Sequence, residues 1–111
     1  MLTYTQLTGE LRAKDGALVA IGFSGEGEMR NRAEYERVRL LGPIPRGRYT
    51  IRPLRRYNMQ MFRLKPAVNV RNQPYFLQSS GQSQGCINVE PEIIPVIAYL
   101  VKHGETTLEV Q

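Results

Sequence analysis

Only one cysteine, Cys86, occurs in the chain, so no internal disulfide can form. Only one histidine, His103, is present, and one histidine with one cysteine does not make up a zinc ligand set. Tryptophan is absent. No apolar run is long enough to span a bilayer. The first residues, Met1-Leu2-Thr3-Tyr4-Thr5-Gln6, lack the basic and apolar blocks of a secretory signal, so the expectation is synthesis in the cytoplasm without a Sec signal. Repeats, low-complexity tracts and a composition break are all missing, and residues 1–111 read as a single domain.

What remains is ordinary for one small core: 41% hydrophobic and 23% charged residues. The net charge of +5 is mostly arginine. Arg52, Arg55, Arg56, Arg63 and Lys65 form one group, and Arg30, Arg32, Arg37 and Arg39 another. Such a surface either meets an anionic partner (wall polymer, nucleic acid or acidic protein) or is a solvated face. Arg55-Arg56-Tyr57 could serve phosphates and a base, but no RNP, zinc or helix-turn-helix signature accompanies it.

Most of the chain reads as β. Leu2 to Leu7 alternates as a strand, Leu11-Arg12-Ala13 is a short second strand, and Asp15-Gly16 is a hairpin turn into Ala17–Phe23, an apolar and therefore buried strand. Residues 24–42 are a long connection of the kind that is usually functional, with a turn or two of helix at 33–38. Gly42-Pro43-Ile44-Pro45-Arg46-Gly47 is a rigid turn into a strand at 48–52. Met59–Leu64 and Tyr75–Leu77 are further strands, with Met59 and Met61 as core fillers. Pro91, Ile93, Ile94, Ile97, Leu100 and Val101 predict a helix that ends at Lys102-His103-Gly104 before a last strand at 105–110.

The distinctive stretch is Phe76-Leu77-Gln78-Ser79-Ser80-Gly81-Gln82-Ser83-Gln84-Gly85-Cys86-Ile87-Asn88-Val89. A Ser-x-Gly-Cys turn between apolar segments holds a thiol at a tight bend with backbone N–H groups beside it, which is what acyl transfer requires. At Ser83-Gln84-Gly85-Cys86-Ile87 the chain resembles the L,D-transpeptidases, the cysteine enzymes that cut and rejoin peptidoglycan stem peptides. The branch most similar to it is small, occurs in prophages and includes type VI secretion effectors. Phe23-Ser24-Gly25-Glu26-Gly27 through Asn31, and Gly42-Pro43-Ile44-Pro45-Arg46-Gly47-Arg48-Tyr49, also resemble that branch's pattern.

The resemblance implies a mainly β fold, a small L,D-transpeptidase-like sandwich or barrel with one helix after the cysteine motif. It implies Cys86 as nucleophile, the N–H groups of Gly85 and Cys86 as an oxyanion hole, and Ser83 shaping the turn. Phe76, Gln84 and Asn88 would contact substrate. The substrate would be a peptidoglycan tetrapeptide stem, without metal or organic cofactor, met in the periplasm or wall of a target bacterium. An immunity or secretion partner protein would go with an effector. The branch's histidine aligns to Gln78, which cannot accept a proton, and the interval to Cys86 is short. Two readings therefore stand: an enzyme, or a degenerate site that binds stem peptides or a partner protein. His103 is either a surface helix cap or a relocated base.

Overall fold

The computed structural model describes residues 1–79 and 85–111. It is mainly β, with one α-helix after the cysteine motif. The strands are β1 (Leu2–Tyr4), β2 (Glu10–Arg12), β3 (Leu18–Ile21), β4 (Gly47–Arg56), β5 (Met59–Pro66), β6 (Tyr75–Gln78), β7 (Ile87–Asn88) and β8 (Thr107–Val110), and the helix α1 is Ile94–Lys102. They form one sheet in the order β3-β2-β1-β8-β4-β5-β6-β7. Pairing is antiparallel except for β1 with β8 and β6 with β7.

The sheet curls until its two ends meet. Phe23 N donates to Asn88 O at 3.0 Å, and Asn88 N donates to Phe23 O at 2.9 Å. Closure brings the Gly22 Cα so near Asn88 O that a Cβ there would overlap it, which is why a glycine follows β3. Inside the curl lie Leu2, Tyr4, Leu11, Ile44, Tyr49, Ile51, Phe62, Leu64, Tyr75, Leu77, Ile87, Leu108 and Val110. Ile94, Ile97 and Val101 of α1 cover one end at helical spacing.

Several expectations change. The buried strand expected over Ala17–Phe23 is β3, with Leu18 49% and Ile21 64% exposed. It lies at a sheet edge, so it covers only part of its surface. The strand expected at 48–52 runs to Arg56 and, through Tyr57-Asn58, forms a long hairpin with β5. Tyr57 and Asn58 have φ of 53° and 60°, the left-handed pair of a tight hairpin turn. Pro53 fits inside β4 because Ile51 N points to Thr106 O, so the position two further on points to the same side, where β8 has ended. Within the connection 24–42 the expected helical turns are 3-10 turns at Gly27–Met29 and Ala33–Tyr35. That connection is fixed in place. Ser24 Oγ accepts from Ile44 N at 2.7 Å, and Asn31 Oδ1 accepts from Ser24 N at 3.0 Å. No helix among the described residues is long and apolar enough to cross a membrane.

Candidate functional site

Parallel pairing sets Leu77 opposite Ile87 and Gln78 opposite Asn88. Leu77 and Ile87 point into the core. Side chains alternate along a strand, so Phe76, Gln78, Cys86 and Asn88 belong to the other face. There a pocket of about 270 Å³ opens, with Cys86, Gln78, Ser79 and Phe76 on one wall. Met59, Gln60 and Met61 of the adjoining β5, with Arg56 and Tyr57, line it too. Leu40, Gln73 and Pro74 close it. Met59, expected as a core filler, is instead 42% exposed and lines the pocket, whereas Met61 is buried and lines it as well. Phe76 is flanked by cations, with the Arg56 guanidinium carbon 5.2 Å and that of Arg63 5.8 Å from its ring centre.

Cys86 is 6% exposed. Burial pushes its thiol up to about 11, although the Phe76 backbone N–H and the nearby Arg71 both pull the other way. The thiol is therefore protonated at neutral pH.

Arg71 is the second buried element, 5% exposed in the loop before β6. Its Nη1 donates to Glu36 O at 3.1 Å and Pro43 O at 3.0 Å, and its Nε donates to Gln73 Oε1 at 3.1 Å. No carboxylate pairs with it among the described residues. Its guanidinium carbon lies 5.4 Å from the Tyr75 ring centre. Arg71 Nη2 and Tyr75 Oη are both buried without a well-formed hydrogen bond. The side chains are nevertheless close enough that Arg71 opposes the upward push of burial on the Tyr75 phenol. Burial lowers the affinity of Arg71 for its proton, against the pull of Tyr75, Tyr49 and Cys86. A cation thus stands behind the thiol, where it favours a thiolate or any anion formed there.

The structure brings together Phe76, Gln78, Gly85 and Cys86. Ser83 and Gln84 lie outside the described residues. Asn88 does not line this pocket; it lines a neighbouring hollow with Ser79, Phe23 and Glu90, its side-chain amide buried with neither atom hydrogen-bonded. His103 caps α1, its Nδ1 2.8 Å from Tyr99 O and its ring stacked 4.1 Å from that of Tyr99. It is exposed and is not part of the pocket wall. The relocated-base reading therefore has no support. Among the described residues, the pocket wall carries neither histidine nor carboxylate. No group of three or more His, Cys, Asp or Glu residues gathers as a metal site among them either.

Sequence reading missed Arg71 and Gln73, and placed Arg56 only in a basic cluster apart from the thiol. One signal was available: no Asp or Glu occurs between Glu36 and Glu90, so an arginine buried in that span has no local counter-ion. No family model, curated protein or solved structure matches the chain.

Proposed function

We propose that the chain is a small L,D-transpeptidase-like cysteine acyltransferase that acts on peptidoglycan tetrapeptide stems. The observation that supports this reading is the position of Cys86, in the lining of a pocket of about 270 Å³ that Gln78 also lines, with Arg71 close enough to favour its thiolate. The Cys86 sulfur, as thiolate, attacks the carbonyl of the third stem residue. The C–N bond to the fourth residue breaks, and that D-amino acid leaves with the thiol's proton. The thioester then passes to an amine or to water, which restores the thiol. The pocket's apolar wall suits the stem's side chains. Arg56 at its rim suits the tetrapeptide's terminal carboxylate, through a charge-assisted bond. An effector role against a neighbouring cell's wall rests on the resemblance alone, at Ser83–Ile87, Phe23–Asn31 and Gly42–Tyr49.

A second reading is favoured by the raised thiol. With Cys86 pushed up to about 11 and no proton acceptor on the described pocket wall, the domain would hold stem peptides, or a partner protein, without turnover at neutral pH. Mass spectrometry of tetrapeptide muropeptides incubated with the protein and a D-amino acid separates the two. Loss or exchange of the terminal D-residue, abolished in Cys86→Ala, supports the enzyme. Binding without product supports the second reading, and neither binding nor product sinks both.

A further inference from the structure

We propose a second binding site, a cationic cleft on the β4–β5 face that takes a linear polyanion with a sugar or polyol backbone. This inference goes beyond the acyl-transfer reading and does not depend on it. The cleft measures about 670 Å³. Its cations are Arg48, Arg52, Arg63 and Lys65, and Thr50 and Thr107 add hydroxyls.

Register makes the arrangement specific. Arg52 sits directly opposite Arg63, and Thr50 opposite Lys65. Like charges placed face to face across an antiparallel pair destabilise it. Relief from within the protein is slight. The Met1 ammonium in the lining is paired with Glu105 at 2.9 Å and Arg48 meets Glu109 at 3.6 Å, but no carboxylate pairs with Arg52, Arg63 or Lys65 among the described residues. Arg63 Nε is buried without a hydrogen-bond partner. An anion in the cleft would offset both the repulsion and that unmet donor.

Spacing argues for a chain and against a single ion. Same-face residues along a strand are about 6.7 Å apart, so the backbone positions of Arg48 and Arg52 stand about 13 Å apart, and with Arg63 opposite Arg52 and Lys65 opposite Thr50 the charges run along the cleft instead of gathering at one point. A polymer with regularly placed charges reaches them in turn. Forked guanidiniums suit its carboxylate, sulfate or phosphate groups equally. Single-stranded nucleic acid fits less well, because it is held by stacking on exposed rings. Tyr49 is the one aromatic in the described lining. Its ring is buried edge-on to Tyr75 at 5.8 Å, and its hydroxyl donates to Pro45 O at 2.6 Å. At one end the cleft adjoins the thiol pocket, since Arg63 lines the cleft while lying over Phe76 of the pocket.

The test is fluorescence anisotropy of a labelled heparin hexasaccharide and a labelled oligo(dT) of equal charge, titrated with the full chain at physiological salt. Arg52→Gln and Lys65→Gln remove cleft charge, and Arg37→Ala removes an exposed charge elsewhere. The glycan is expected to bind at least ~10-fold tighter than oligo(dT), a difference of ~1.4 kcal/mol. Each cleft variant should weaken the glycan several-fold and lower its salt slope by about 1, and Arg37→Ala should not. Arg52→Gln should also raise the melting temperature of the free protein at low salt, because it removes the repulsion with Arg63. A merely structural arginine would lower it. Absence of binding, oligo(dT) equal to or tighter than the glycan, or Arg37→Ala as damaging as Arg52→Gln, overturns the proposal.

Discussion

The guanidinium of Arg71 lies against the Cα of Gly85, so the residue before the thiol has no room for a side chain. A Cβ on Gly85 would overlap Arg71 Nη2 and press on Gln73 Nε2. The φ of Gly85 is 86°, in the left-handed region. An arginine tip can usually swing aside, but this one is pinned to Glu36 O, Pro43 O and Gln73 Oε1. Gly85→Ala should lose ~1–2 kcal/mol for the backbone and ~1.5–3 kcal/mol more for disturbed charge-assisted bonds. Urea unfolding would show it, and an unchanged midpoint would mean that Arg71 is not held as described.

The thiol offers a pH experiment with a definite sign. Only the thiolate alkylates, and burial places the Cys86 thiol at about 11. Iodoacetamide modification of the folded protein should therefore rise about tenfold per pH unit from neutral pH until it levels off near that value. An unfolded chain would level off near 8.5, so at neutral pH it should react faster than the folded one. Arg71→Met removes a cation that pulls the thiol down, so the folded midpoint should move up. A variant that simply unfolds would shift it down to the free-thiol value. A wild-type midpoint near 8.5 under native conditions would refute the burial.

Local chemistry carried much of this structure into the sequence. Asp15-Gly16 marked a hairpin, with Ala13 N bonded to Ala17 O at 2.9 Å, and apolar spacing marked α1. The glycine before Cys86 has the left-handed φ expected of it, while Ser24, Asn31 and Ile44, read only as parts of a resemblance, turn out to be joined by hydrogen bonds. What could not be read depends on partners distant in sequence. Whether Leu18 and Ile21 are buried depends on which strands flank β3, and nothing in Ala17–Phe23 states that it is an edge. Pro53 reads as the end of a strand until β8 is known to stop beside Thr50. Arg71 reads as a loop residue because its acceptors lie in the backbone at 36 and 43.

Glu36 anchors the loop that supports Arg71. Its Oε1 accepts from Gln6 Nε2 at 3.1 Å, Arg46 N at 3.1 Å and Arg46 Nε at 3.0 Å, and its Oε2 accepts from Arg46 Nη2 at 3.0 Å. Burial pushes its carboxyl up, but these bonds prevail and hold it below its ordinary 4.5. A lowered folded value adds stability above the ordinary pKa, and that stability is lost as pH falls through the folded value. Glu36→Gln should cost about 1–2 kcal/mol at pH 7 in urea unfolding. The gap to wild type should narrow as the pH falls through the folded value. A gap that stays constant with pH would mean that the carboxylate charge contributes nothing.

Tyr57 sets local strain against use. It is 89% exposed, holds a φ of 53° at the tip of the β4–β5 hairpin, and lines the thiol pocket. A bulky aromatic in the left-handed region is an outlier, where asparagine or glycine would be at ease. Its ring is too exposed to repay the strain by burial, and on the proposed function it would hold a ligand in the pocket. Tyr57→Asn should therefore stabilise the free protein by roughly 0.5–1 kcal/mol while weakening muropeptide binding or turnover. Thermal melts and the muropeptide assay read the two effects separately. A variant both more stable and equally able to bind would show that the ring serves no ligand there. A destabilised variant would show that the tyrosine packs in a way its exposure does not reveal.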